Sequence, residues 1–405
     1  MNYPSRQLPE LVTGVRNQAT LKACSKYTDA VYFSLDRFNL RARARDITSD
    51  NLGSFVKQAK SYGLKCYLTL NSVIYPEDLQ ELDKVLDDVS KVNIDAVIAW
   101  DPAVIKKAVD KGLDIHISTQ ANVSNWATAE FYKTLGASRV ILSRELTLEQ
   151  IKDIRKNTDI ELEVFVHGAM CQAVSGRCYL SAYIVGKSAN CGECSQPCRW
   201  QWTLHGENGE QIELEGKYLL STKDLCMIEH IPELVNSGVD AFKVEGRLRN
   251  TSYINTVSKC YREALDNYLN GTYTNQKAQF WKTKLIQEYN RGFSTGFYFG
   301  TPGPEGLNPD SDMNISSVKR EAVGIITNYY PKQSAASVDL REQGLQVGDD
   351  IVIEGATTYI EQKVESLVTN RKHLSTAEKG QLVGMSVRDK VRKNDRVYKI
   401  ENTIK

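Results

Sequence analysis

Long apolar stretches are missing: no run reaches the ~18 residues that a membrane span needs, so a bilayer-crossing protein is not expected. Residues 1–7 lack the basic-then-apolar pattern of an export signal, which makes the cytoplasm the expected address. Histidine is scarce, at five residues, and none stands in an H-E-x-x-H arrangement; Glu229-His230 comes closest and has no second histidine. That leaves no metalloprotease helix. There is no G-x-S-x-G elbow for a serine hydrolase and no G-x-G-x-x-G run for a dinucleotide. Internal repeats and low-complexity tracts are absent as well. A net charge of +1 gives the whole molecule no general attraction for polyanions.

What is present describes a globular chain. Its 405 residues, 41% hydrophobic and 25% charged, exceed what one compact core usually takes, and two domains are expected. Apolar or β-branched runs occur at 10–15, 29–35, 65–70, 95–100, 114–118, 138–142, 161–166 and 240–244. Amphipathic helical patterns lie between most of them, such as 48–62, 77–92, 102–111 and 147–156. Strands so continuously apolar are buried on both faces, and eight of them fit a (β/α)8 barrel better than a doubly wound sheet. The expected domains are a TIM-like barrel over 1–250 with a Cys-rich insertion at 171–226, a helical bridge and linker over 251–314, and a small all-β barrel over 315–405. From Arg371 to Lys405 there are ten Lys or Arg against four acids, a local basic excess that either positions nucleic acid or is a solvated face.

In such barrels the chemistry lies where strands end at their carboxyl side. Arg41 and Arg43 follow the second strand, Asn71 the third, Gln120 and Asn122 the fifth, Arg144 the sixth, His167 the seventh, and Glu245 and Arg247 the eighth. Guanidinium forks suit carboxylate or phosphate, and amides orient a ligand without adding charge, so an anionic substrate or co-substrate is expected. The plainer reading pairs these arginines with local acids such as Asp46 and Glu145. His167 is a general acid or base, a ligand, or a brace for the strand end. Cysteine number is odd, at nine, and five crowd into one stretch as Cys171-x6-Cys178, then Cys191-x2-Cys194-x3-Cys198, with Cys226 following. Such crowding argues against a disulfide framework, and the spacing alone leaves an iron–sulfur cluster, zinc or neither open. Cys24, Cys66 and Cys260 read as ordinary core residues.

Several longer runs carry a resemblance: 163–181 with Cys171 and Cys178, Phe38 to Ala42, Ser118 to Asn122, Leu142 to Leu146, Cys194 to Arg199, Ser221 to Leu225, Lys243 to Arg247 and Arg291 to Phe297. From about residue 29 onward the chain resembles peptidase family U32, the collagenase-like peptidases, and departs from the family pattern over Glu10 to Asn17. The resemblance implies hydroxylation more than proteolysis. Its nearest branch converts the wobble uridine of tRNA to 5-hydroxyuridine with prephenate as co-substrate; a U32-type peptidase and an oxygen-independent ubiquinone-pathway hydroxylation protein are the alternatives, and a non-catalytic RNA-binding scaffold is a further one. It also implies a 4Fe–4S cluster on Cys171, Cys178, Cys194 and Cys226, with Cys198 as an alternate ligand, zinc as the alternative cofactor and no assigned purpose for Cys191. On that reading Arg41, Arg43, Arg144 and Arg247 grip the small anion, Asn71 and Asn122 help to orient the base or acid, and His167, Gln120 and Glu245 take the catalytic roles. The expected partner is tRNA, with no membrane.

Overall fold

The computed structural model describes residues 8–402 apart from 42, 43, 45, 210, 213–215, 312 and 313. Eight parallel strands close on themselves: β1 (Glu10–Gly14), β2 (Ala30–Ser34), β3 (Lys65–Thr69), β4 (Ala96–Ala99), β5 (Ile115–Ile117), β6 (Ala137–Ile141), β7 (Glu161–Gly168) and β8 (Ala241–Val244). Closure comes from β8, which pairs in parallel with β1 on one side and β7 on the other. The expected TIM-like barrel is therefore the observed one. Its strands are buried along nearly their whole length, β2 at every position, because helices cover the outside and side chains fill the inside.

The covering helices are α1 (Gln18–Cys24), α2 (Ser49–Ser61), α3 (Leu79–Ser90), α4 (Pro102–Asp110), α5 (Trp126–Thr134), α6 (Leu148–Asn157), α7 (Ile231–Asn236) and α8 (Thr251–Leu269). Local chemistry sets their starts. The Asn17 side chain accepts from the Thr20 N–H, Thr147 caps Gln150, and Asp101 precedes a proline at the first helical position. In α8 the buried residues Tyr253, Ile254, Val257, Tyr261, Ala264 and Leu265 fall on one helical face. That face belongs to the barrel's own core, so the first helix of the expected bridge is the barrel's eighth helix. The next helix, Asn275–Ile286, adds Trp281 and Leu285 to the same core.

Between β7 and α7 lies the Cys-rich insertion. It holds a short helix, Leu180–Val185, and a strand, Asp224–Cys226, that runs antiparallel to the end of β7. The C-terminal region holds an antiparallel sheet of eight strands, with its centre at Val318–Tyr330 flanked by Ala335–Leu340 and Arg396–Asn402, and a two-stranded ladder of Leu345–Gln346 with Thr376–Ala377. It rolls around a separate core that includes Val323, Ile326, Val338, Ile351, Ile353, Val383 and Val397. Polar contacts fasten this region to the barrel: Lys22 to Asp389 at 2.6 Å and Thr251 Oγ1 to Glu354 at 2.7 Å. Among the described residues no helix is long and apolar enough to cross a membrane.

Candidate active site

Lys243 stands in β8, Glu245 just past its end and Arg247 in the turn that follows, and all three side chains line one cavity at the barrel mouth. Two glycines permit the crowding that this requires. A Cβ on Gly246 would stand 2.5 Å from the Gly14 carbonyl oxygen and 2.3 Å from Ile254 Cδ1. Gly168 has φ +113°, and its Cβ would meet that of Glu245 at 2.8 Å. The strand ends thus close around a cavity of about 560 Å3.

Charge in that cavity is one-sided. Its described lining residues include Arg41, Arg144, Arg199, Arg247, Arg249, Arg291 and Lys243, against the single carboxylate of Glu245. Glu245 accepts from the Tyr32 hydroxyl at 3.2 Å and lies 3.8 Å from Arg41. Burial alone would raise its pKa, but Arg41, Arg247, Arg144 and Arg249 together hold the carboxyl below its ordinary value. Arg247 donates Nη1 to Ser34 Oγ at 2.8 Å and Thr69 Oγ1 at 2.9 Å, while its Nε has no acceptor among the described residues. Arg144 lies over the Phe165 ring at 4.7 Å and donates Nη1 to the Ala169 carbonyl at 2.8 Å. Its Nε and Nη2 have no acceptor among the described residues. Buried donors without acceptors cost about 1–3 kcal/mol each, and a bound carboxylate would satisfy them.

Lys243 and Tyr32 carry no expectation from sequence, yet they line this cavity. Lys243 Nζ is 2.5 Å from Glu163 Oε1 and 4.0 Å from the centre of the Tyr32 ring. Burial depresses its pKa and Glu163 restores part of the loss, leaving it below the ordinary lysine value. Glu163 also accepts from Arg139 at 3.0 Å, and Arg139 reaches Glu10 at 2.9 Å. An ionic ladder therefore fills the lower barrel, and Lys243 is its upper rung. The available signal was a lysine between Phe242 and Val244, both buried, in the middle of a barrel strand.

Other expectations need correction. His167 does not line the cavity: it is 1% exposed, packed among Tyr253, Tyr261 and Phe293, with its Nδ1 3.4 Å from the Tyr261 hydroxyl. Burial drives its pKa down to about 3, so it is a neutral core histidine bracing the strand end. Gln120 and Asn71 line the cavity but spend their polar atoms on each other, on the Ser118 hydroxyl and on backbone. Asn71 Oδ1 accepts from Leu40 N and its Nδ2 donates to Gln120 Oε1, both at 3.2 Å, while Gln120 Nε2 donates to the Ser175 carbonyl at 2.7 Å. Gln120 is a positioning residue that ties the fifth strand end to the insertion. Asn122 lies in an adjoining cavity, and Arg43 lies outside the described residues.

Cys171, Cys194 and Cys198 line the cationic cavity. Burial raises the pKa of Cys194 and Cys198. Cys226 is elsewhere. It is buried against the Tyr261 hydroxyl, with Glu229 and Lys282 nearby, and burial pushes it up to about 12. The strand that carries it pairs with β7 so that Cys226 stands opposite His167, on the helix side of the wall. Cys198, unlike Cys226, lines the cavity with Cys171 and Cys194.

The sequence model for peptidase family U32 matches residues 16–308. The chain belongs to that family. Among relatives of this U32 protein, an uncharacterized protease of Methanocaldococcus jannaschii is 44% identical over 98% of this chain and 99% of its own length. A collagenase of Porphyromonas gingivalis is 36% identical over 97% of this chain and 98% of its own. tRNA hydroxylation protein P1 of Bacillus subtilis is 33% identical over 86% of this chain and 83% of its own.

Among the described residues no three His, Cys, Asp or Glu side chains are gathered tightly enough for a single metal ion. A zinc ion at about 2.3 Å from each sulfur needs that tight gathering, whereas a four-iron cluster spaces its ligands more widely. Backbone N–H groups already point at three sulfurs: Ala173 at Cys171, Leu180 at Cys178 and Gln196 at Cys194, each at 3.4 Å. Such N–H donors stabilise thiolates and tune iron–sulfur centres. Three of the sulfurs thus already receive the kind of N–H donor that a cluster ligand uses.

Proposed function

We propose that this U32 protein hydroxylates an unpaired uridine of RNA, with the tRNA wobble position as substrate and prephenate as the anionic co-substrate. The observation that carries the reading is the cavity where seven cationic side chains and one carboxylate meet three cysteines at the barrel mouth. Prephenate bears two carboxylates, and Arg144 and Arg247 offer guanidinium donors that lack acceptors. Arg41 neutralises Glu245 and leaves the remaining positive charge for the ligand. Lys243, with its lowered pKa and its bond to Glu163, holds a proton at Nζ against the cavity floor. A 4Fe–4S cluster on Cys171, Cys178, Cys194 and Cys198 would supply redox-active iron beside the acid. The name of the Bacillus subtilis relative supports the RNA substrate.

A peptidase would need a nucleophile–base pair, and no histidine is among the described lining residues of either cavity. The test begins with anaerobic purification and an iron and sulfide count. The protein is then incubated with unmodified tRNA, with and without prephenate, and the nucleosides are read by mass spectrometry. A 5-hydroxyuridine peak that depends on prephenate is expected. Unchanged nucleosides from cluster-loaded protein, supplied with prephenate as the oxygen source, would count against the reading.

A further inference from the structure

Beside the cationic cavity lies a second, of about 620 Å3, which shares Thr119, Arg144, Met170, Cys171 and Ser175 with the first. Its character differs. Arg144, Glu145 and Lys223 are the charged residues among its described lining, and apolar surface comes from Met170, Val174, Phe297, Pro302, Pro304 and Leu307. Part of this wall is Ser294, Gly296 and Phe297 with the Pro- and Gly-rich segment after them, none of which lines the anion site. An acid of two charges gains little here by comparison with its neighbour.

Polar groups on the opposite wall are fixed by a short relay. Glu145 N donates to Ser143 Oγ at 3.4 Å, and Ser143 Oγ donates to Asn122 Oδ1 at 2.8 Å. The Asn122 oxygen is thereby engaged, and its amide nitrogen keeps two hydrogens for the cavity that the residue lines. Asn122 itself is held in the left-handed region, φ +54°, at the end of a single helical turn after β5. Asparagine tolerates that conformation better than most residues. A flat, neutral ring with carbonyl acceptors suits such a combination of apolar wall, carboxylate acceptor and amide donor.

We propose that the second cavity is the pocket for a single unstacked RNA base, which it holds across Cys171 and Arg144 from the anion in the first. The inference rests on the RNA reading above and adds where the base sits. Two ligands of different charge then have two chambers, and the wall they share carries a cysteine of the thiol group.

The test is photocrosslinking of the full cluster-loaded chain to a short stem–loop RNA with one 4-thiouridine at an unpaired loop position. Crosslinked peptides are identified by mass spectrometry. Crosslinks within 119–122, 170–175 or 294–307 are expected. Asn122→Asp removes the amide donor at nearly constant shape, and Phe297→Ala removes aromatic surface; each is expected to lower the yield about tenfold. Prephenate binding, followed by calorimetry, is expected to stay within about twofold of the parent in both variants. Crosslinks confined to other segments, no crosslink at all, or variants that weaken prephenate and RNA equally would overturn the inference. If hydroxylation proceeds while crosslinks map elsewhere, the base pocket fails and the RNA reading stands. If these segments crosslink but no 5-hydroxyuridine forms, the pocket stands and the hydroxylation reading fails.

Discussion

An imidazole enclosed by Tyr253, Tyr261 and Phe293 resists protonation because its charged form would lose water without gaining an anion. The folded pKa of His167, about 3, lies below the 6.5 of a free histidine, so the unfolded chain takes up the proton first. Its contribution to stability is therefore complete above about pH 6.5 and declines as pH falls toward 3, by up to about 1.4 kcal/mol per pH unit. His116, buried beneath the same barrel beside Arg139 and Lys243, is depressed as well and adds a second slope of the same sign. Urea denaturation of His167→Gln across pH 7.5 to 4.5 is expected to show a shallower pH dependence than the parent; an unchanged slope would count against a neutral core histidine. His167 also shows a limit of sequence. Its position after a barrel strand was legible, but which side of the β7 wall its ring takes depends on Tyr253 and Tyr261, about 90 residues away along the chain. Lys243 was missed altogether, since a place for its charge inside the barrel shows only once Glu163 is seen beside it.

At the scale of elements, the barrel strands were legible because burial on both faces leaves apolar runs that nothing on the surface imitates. The insertion was legible in content and not in geometry: spacing gives the order of its cysteines, while the turn of a three-residue strand decides where Cys226 points. This difference can be measured. Cys171→Ser, Cys178→Ser, Cys194→Ser and Cys198→Ser are each expected to lower the iron content of anaerobically purified protein severalfold. Cys226→Ser is expected to keep its iron and to lose stability instead, by about 1 kcal/mol, as a buried thiol is exchanged for a hydroxyl. Iron lost from Cys226→Ser and retained by Cys198→Ser would restore the ligand set that the family resemblance implies. The turn after β8 makes a second demand. Gly246→Ala has no room for its methyl beside the Gly14 carbonyl and Ile254, so the loop must move. It is expected to cost about 2–3 kcal/mol and to weaken prephenate binding through Glu245 and Arg247; a variant with parent-like melting and binding would show that the loop has slack.

Across the whole molecule, the barrel and the sheet region divide positive charge differently. At the barrel mouth it is concentrated inside a cavity. On the sheet region it is spread over a surface: Arg371, Lys372, Lys379, Lys390, Arg392, Lys393 and Arg396 are all exposed. Arg388 is already paired with Glu365, and Lys399 with Asp349, so those two contribute less to any long-range field. A surface of this kind holds phosphates without reading bases, and its share of RNA affinity should appear as salt dependence. Each phosphate contact removed from single-stranded RNA lowers the slope of log affinity against log salt by about 0.7. Lys390→Ala together with Lys393→Ala is therefore expected to reduce the slope for tRNA by about 1.4 and to leave prephenate binding unchanged. Both side chains are exposed, so the fold should tolerate their loss. An unaltered slope would mean that RNA approaches the mouth over the Cys-rich insertion, where Tyr179, Tyr183 and Trp200 stand exposed, and that the sheet region serves the fold alone.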